Sequence, residues 1–249
     1  MRLLPLPGPA LALGTALGTA LGASLITAAP ALAAGGVTIT SFGHSALLIQ
    51  GGGQSVLLNP FRAVGCAAGL AEPRVGASAI LASSRLLDEG APGVASGRFL
   101  VDPGTYQVDS LRFEGIGGPH DRVGGRRFGQ ATIWRWRQGG LNFAHLGGTA
   151  ATISPADKVL LGRPDVLIIG VGGGAKVYDG REAAELVREL QPRVVIPVQY
   201  VSGATPANCD QGSVQPFLDA MAGTPVQRAG SRINLPGSLD EGPVIKVMR

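Results

Sequence analysis

The sequence predicts an α/β (α+β) fold in which two β-sheets pack together with helices outside. The first half of the chain, from Val37, is a run of short apolar segments separated by Gly-rich turns. The second half alternates amphipathic helical patterns with fully apolar strand patterns. Two packed sheets sharing one core would bury all these runs.

The elements follow in order. "VTITSFG" (37–43), "ALLIQGG" (46–52) and "QSVLLNP" (54–60) read as a β-meander, and residues 62–77 as loop. "ASAIL" (77–81) is a buried strand. Residues 97–118 hold three strands, turning at Asp102-Pro103-Gly104. Residues 129–148 form a hairpin whose turn is Gly139-Gly140. Trp134 and Trp136 alternate there with Arg135 and Arg137, one face for the core and one for water. "SPADKVLLG" is a short helix with Ser154 as N-cap and Pro155 in the first position. "PDVLIIGVGGG" is a buried strand ending in a Gly loop. "DGREAAELVRELQP" is the strongest helix: Asp179 caps it, Glu182 completes a capping box, and Ala183, Leu186, Val187 and Leu190 share one face. "RVVIPVQY" is a strand, "SVQPFLDAMAG" a helix and "GPVIKVMR" a terminal strand.

Residues 1–33 read as a cleaved signal peptide: an Ala/Leu/Gly-rich run, then Pro30 and the small-x-small pattern Ala31-Leu32-Ala33. Without a twin-arginine pair, the general export route is expected. The destination is the periplasm, a thylakoid lumen or the exterior. A single domain, residues 34–249, follows. The formal charge is only +4. The basic cluster Arg122, Arg126, Arg127, Arg135 and Arg137 carries no nucleic-acid motif, which leaves an anionic small ligand or a protein assembly as partner classes. Cys66 and Cys209 lie in loop-like segments and would be free to pair in an oxidising compartment, though sequence alone does not set their distance.

Six segments in the right order resemble the metallo-β-lactamase fold superfamily, and within it the branch that includes ascorbate-phosphate-lactonase-like hydrolases. They are "SFGHSALLIQGGGQSVLLNPF", "DPGTYQVDSLRFEGI", "GPHDRVGGRRFGQATIW", "LNFAHLGG", "RPDVLIIGVGGG" and "EAAELVRELQPRVVIPVQY". The resemblance implies a four-layer αββα sandwich of two mixed sheets, with chemistry on loops at one edge. It also implies zinc held by Thr-His-x-His-x-Asp-His after the fourth strand, an Asp after the hairpin and a late His, the metal making hydroxide from bound water.

This chain departs from that pattern at each ligand position. The first two histidines fall at Ser83 and Arg85, the motif Asp at Leu87 and its last His at Asp88. The hairpin Asp is Gly148, the final His is Gln199, and the Asp before Pro-Phe is Asn59. No zinc or other cofactor is therefore expected at the family position. Arg85 is expected to fill the vacated space and pair with Asp88. The resemblance brings His44, His120 and His145 to the same edge. Ligand-facing candidates are His44, Arg85, Asp88, His145, Lys176 and Gln199, with Lys176 in the "GVGGGAK" loop adding positive charge for an anion. The leading expectation is a non-catalytic binding or structural protein. A hydrolase would need a relocated metal site, or acid–base work by His120 and Asp121 on an ester or lactone. Ser83 or Ser84 as a nucleophile lacks the strained turn and third partner such a site needs.

Overall fold

The computed structural model describes residues 35–249 together with Met1, Leu3 and Leu4. The expected signal peptide, residues 1–33, lies almost wholly outside the described residues. The strands are β1 (Gly36–Ser41), β2 (Leu47–Gly51), β3 (Gln54–Leu58), β4 (Gly76–Leu81), β5 (Ser96–Leu100), β6 (Gly104–Val108), β7 (Leu111–Pro119), β8 (Gln130–Gln138) and β9 (Leu141–His145). Then come α1 (Pro155–Leu161), β10 (Val166–Gly170), α2 (Gly180–Leu190), β11 (Val194–Val198), α3 (Gln215–Ala220), β12 (Val226–Arg228), β13 (Arg232–Pro236) and β14 (Val244–Val247). A 3-10 turn covers Gly65–Ala67.

Two mixed sheets form. One runs β13-β1-β2-β3-β4-β5, the other β12-β14-β11-β10-β9-β8-β7-β6. Period-2 alternation builds the core between them. Ile39, Leu47, Ile49, Val56 and Leu58 of the first sheet face Phe113, Trp134, Trp136, Phe143 and Ile168 of the second. Trp134 and Trp136 are both buried, while Arg135 and Arg137 turn to the other face. The β8–β9 turn uses Gly139 and Gly140, both at positive φ (58° and 89°), the backbone a two-residue hairpin of this hand requires.

The described helices all lie on the outer face of the second sheet, where Leu186, Val187, Leu190 and Phe217 pack over Leu167, Ile169 and Val195. On the outer face of the first sheet, Leu48, Leu57 and Ile80 sit under Phe42, Val75 and Phe99. Helix α2 begins as its sequence dictates. The Asp179 carboxylate accepts from Arg181 N and Glu182 N, and the Glu182 side chain accepts from Asp179 N. Helix α1 is capped by Ser154, which accepts from Asp157 N.

Local pattern and pairing diverge in two places. β4 and β5 run parallel to β3, not as further antiparallel turns. β12 and β13 occupy a stretch where the sequence pattern predicts no strand; β13 closes the first sheet by pairing antiparallel with β1. β9, β10 and β11 run parallel, so their C-terminal ends share one edge, and β3 and β4 end together in the facing sheet. Ligand sites in open α/β sheets lie at such ends.

Candidate functional site

That edge gathers loops from both sheets. The β1–β2 turn brings His44, the end of β3 Asn59, and the segment after β4 brings Ser83 to Glu89. His120 follows β7, His145 ends β9, Lys176 follows β10 and Gln199 follows β11. His44, Asn59 and Gln199 all have positive φ (50°, 42° and 52°), a conformation non-glycine residues adopt at a cost and which clusters at specialised sites. Gln199 N donates to His44 O at 2.9 Å, locking two of these strained residues together.

At the centre is a residue that the motif comparison does not single out, Glu89. It is fully buried. Ser84 Oγ donates to Glu89 Oε1 at 2.6 Å, and Gln199 Nε2 donates to Oε2 at 2.6 Å. His120 Nε2 lies 2.6 Å from Oε1, with an N–H direction that falls outside hydrogen-bond geometry. Burial is the largest influence on this carboxyl and pushes its pKa up. His120, Lys176 and the Ser84 hydroxyl together outweigh it and bring the pKa down to about 2. Glu89 is thus an ionised carboxylate held entirely by the protein.

The glycines after β9 explain how it fits. A Cβ on Gly148 would stand 2.0 Å from Glu89 Oε2, and one on Gly147 would stand 2.2 Å from Ser83 Cβ. The volume that an aspartate at 148 would need is filled by the Glu89 carboxylate. Ser83 is consumed as well. Its hydroxyl accepts from Asn59 Nδ2 at 2.9 Å and from Gly148 N at 3.2 Å, and its own N donates to Asn59 Oδ1 at 2.8 Å.

The expected Arg85–Asp88 pair does not form. Arg85 is surface-exposed and donates through Nη2 to both oxygens of Asp102, at 2.9 and 3.1 Å. The loop after β4 turns its side chain outward, toward the Asp102-Pro103-Gly104 turn. Asp88 pairs instead with Lys176, Nζ to Oδ2 at 2.6 Å, both side chains nearly buried. The Gly loop's amide is also spoken for: Ala175 N donates to Asp210 Oδ2 at 2.9 Å. The three groups expected to attract a small anion are therefore each neutralised from within.

The remaining candidates are placed as follows. His120 is fully buried, against Glu89 and the Phe128 ring. Asp121 does not face His120's partner. Its carboxylate accepts four backbone N–H groups, from Val123, Gly125, Arg127 and Phe128, at 2.8–2.9 Å. Burial pushes its pKa up, but these four bonds hold it below the usual carboxylate value. Burial lowers the His145 pKa to about 4, the nearby Glu89 charge opposing only in part. Burial likewise lowers His44; Asp88 and Glu89 oppose that shift and Lys176 adds to it. His44 Nε2, His120 Nδ1 and both ring nitrogens of His145 are buried without a hydrogen-bond partner in the protein. Cys66 and Cys209 form a disulfide (S–S 2.07 Å). It ties the 3-10 turn to the loop after β11 beside Asp88, whose Oδ2 lies 3.2 Å from a Cβ built on Gly65.

These residues do not fit the family's metal. Zinc needs imidazole, thiolate or carboxylate groups converging on one point. Here Ser83 is bonded to Asn59 and Gly148, Gln199 offers an amide whose Nε2 is spent on Glu89 and whose neutral Oε1 alone is unpartnered, Gly148 has no side chain, and Lys176 Nζ sits on Asp88. Among the described residues, no set of three or more His, Cys, Asp or Glu side chains is arranged to hold a metal.

Fold and edge together define a sandwich of the metallo-β-lactamase type. A profile described as a beta-lactamase superfamily domain matches residues 38–199, and the chain belongs to that family. It is similar to a Thermotoga maritima protein proposed as a Zn-dependent hydrolase of the metallo-beta-lactamase superfamily. That match has a TM-score of 0.68 and 24% identity, covering 86% of this chain and 100% of that one. A Parabacteroides distasonis protein proposed as a metal-dependent hydrolase matches with a TM-score of 0.58 and 16% identity, covering 85% and 92%. These likenesses show the fold. In sequence, a UPF0173 protein of Pyrococcus furiosus is 40% identical over 63 residues, which is 25% of this chain and 29% of that protein. A UPF0173 protein of Pyrococcus abyssi is 39% identical over 57 residues, 23% and 26% of the two chains. The matched region thus spans less than a third of either curated relative.

Glu89 was legible only indirectly. A glycine where a ligand aspartate is expected leaves space, and an acidic residue in the facing loop is the natural candidate to fill it.

Proposed function

We propose that this chain is an exported, non-catalytic member of its family, a binding or structural protein whose former metal edge is an internal polar core. One observation carries the reading: the Glu89 carboxylate occupies the space at Gly148 where a metal-ligand side chain would project. The buried carboxylate accepts hydrogen bonds from Ser84 and Gln199 and has the Lys176 charge acting on it, so it is stabilised without a divalent cation. The small-x-small pattern at Ala31-Leu32-Ala33 supports export. The Cys66–Cys209 disulfide supports it too, because such bonds persist in oxidising compartments.

The test is the metal content of the purified full chain after dialysis, with ester and lactone hydrolysis assayed with and without chelator. Substoichiometric zinc, iron and manganese, and no chelator-sensitive turnover, are expected. Near-stoichiometric metal would overturn the reading. A second reading, a hydrolase with a relocated metal site, has the unpartnered ring nitrogens of His44, His120 and His145 in its favour. Under it, chelator-sensitive turnover would fall on His120→Ala substitution.

A further inference from the structure

The loop between β7 and β8, residues 120–129, is built in a way that the polar core does not require. It closes on itself through His120 N to Gly129 O (3.0 Å) and Gly129 N to Gly125 O (2.8 Å). The Asp121 carboxylate, 2% exposed, then gathers four of its amides. A loop with this many internal bonds is held in one shape before any partner arrives, and that lowers the ordering cost of binding.

Its outer surface is basic and partly apolar. Arg122 is engaged inward by Glu182 and by the carbonyls of Gly174 and Val177. Arg126 and Arg127 are exposed and have no acidic partner among the described residues. Arg127 is kept in place by its neighbour, its guanidinium carbon 5.1 Å from the Phe128 ring centre. Val123 beside them is 41% exposed. Phe128, Gly129 and Gln130 continue into a groove of about 360 Å³, whose other wall is Arg85, Leu86, Asp102 and Pro103; Arg85 and Asp102 pair with each other there, so the free positive charge beside the groove is that of Arg126 and Arg127. Leu87, next to that wall, is 53% exposed. Unpaired arginines and exposed aliphatic side chains around a shallow groove are complementary to an extended segment that carries both carboxylates and apolar residues.

We propose that the 120–129 loop and the adjoining groove form a docking surface for an acidic, partly apolar peptide segment of a partner protein. This rests on the binding-protein reading only for its biological sense; the contact itself does not depend on whether the edge holds a metal. The groove is too small for a folded domain to enter, so the partner engages by an extended strand or tail. Arg126 and Arg127 contact its carboxylates, and Val123 and Leu87 its apolar residues.

The test uses the full chain and a fluorescent dodecapeptide of alternating Glu and Leu, read by anisotropy at low and physiological salt. Binding that weakens with salt is expected. The double variant Arg126→Glu/Arg127→Glu should weaken it by about tenfold or more, since two rim charges are reversed. Arg228→Glu/Arg232→Glu makes the same net charge change on exposed residues of β12 and β13 and should leave binding within about twofold. Equal loss in both double variants would reduce the effect to net charge and overturn the proposal, as would no binding at low salt. An all-Glu peptide binding as well as the Glu/Leu peptide would remove the apolar contribution. Association only with vesicles containing phosphatidylglycerol would assign the surface to a membrane instead. Circular dichroism of each variant guards against misfolding. Metal content is measured separately, so failure of the docking surface and failure of the non-catalytic reading are distinguishable.

Discussion

Replacing His145 with phenylalanine should remove a large part of the chain's sensitivity to acid. His145 is fully buried, neither ring nitrogen has a protein partner, and its pKa falls from 6.5 to about 4. The sign follows from proton counting. Between these two values the unfolded chain takes up a proton at this position and the folded chain does not, so unfolding becomes easier as pH falls. The stability contributed by the neutral ring is fully present above pH 6.5 and is lost by about pH 4; below that, both states are protonated and the slope vanishes. A shift of about 2.5 units corresponds to about 3 kcal/mol, a substantial fraction of a domain's typical stability. Because no donor or acceptor depends on the ring, the phenylalanine variant leaves no orphaned partner. Urea unfolding of both proteins at half-unit steps from pH 7 to 4 gives the difference in stability. His44 and Glu89 contribute acid sensitivity of the same sign to both proteins and largely cancel in that difference. The difference should change by about 3 kcal/mol across the window, in favour of the variant at low pH. A difference that stays flat, or that moves the other way, refutes the claim that His145 is buried in its neutral form.

Other consequences follow from the same contacts. Gly148→Ala drives a methyl onto the buried Glu89 carboxylate and should cost about 3 kcal/mol. Combining it with Glu89→Ala should give less than the sum of the two single effects, and full additivity would show that the two sites do not touch. Lys176→Met strands the nearly buried Asp88 and should cost about 3 kcal/mol, with Asp88→Asn restoring part of it; a cost within error of zero would mean that the pair is solvated. Removing the disulfide with Cys66→Ser/Cys209→Ser frees a link across 143 residues and should cost about 4 kcal/mol. An unchanged melting temperature on adding reductant to the native chain would count against the bond.

Much of the sandwich was legible because its signals are local. The β8–β9 hairpin is written in Trp134, Trp136 and Gly139-Gly140, and α2 in its Asp179/Glu182 box, and both form where expected. Laid on the family pattern, the ligand positions fall at Ser83, Leu87, Gly148 and Gln199, residue types that are poor metal donors. Their replacement was not legible. Arg85 and Lys176 are both cations within reach, by sequence, of a vacated site. Which one pairs with Asp88 depends on the direction in which the loop after β4 turns, and that turn takes Arg85 to Asp102. Asp121 reads as a catalytic neighbour of His120 until its four amide donors are counted.

The sequence by itself determined the alternation that makes two buried sheet faces and the caps that start α1 and α2. These depend on residue type and on spacing along a few turns of chain. Only the tertiary structure decided that β13 returns to pair with β1, that Glu89 fills the space above Gly148, and that Lys176 rather than Arg85 neutralises Asp88. Each joins residues far apart in the chain, and its energy comes from burial and close approach, which no local pattern encodes.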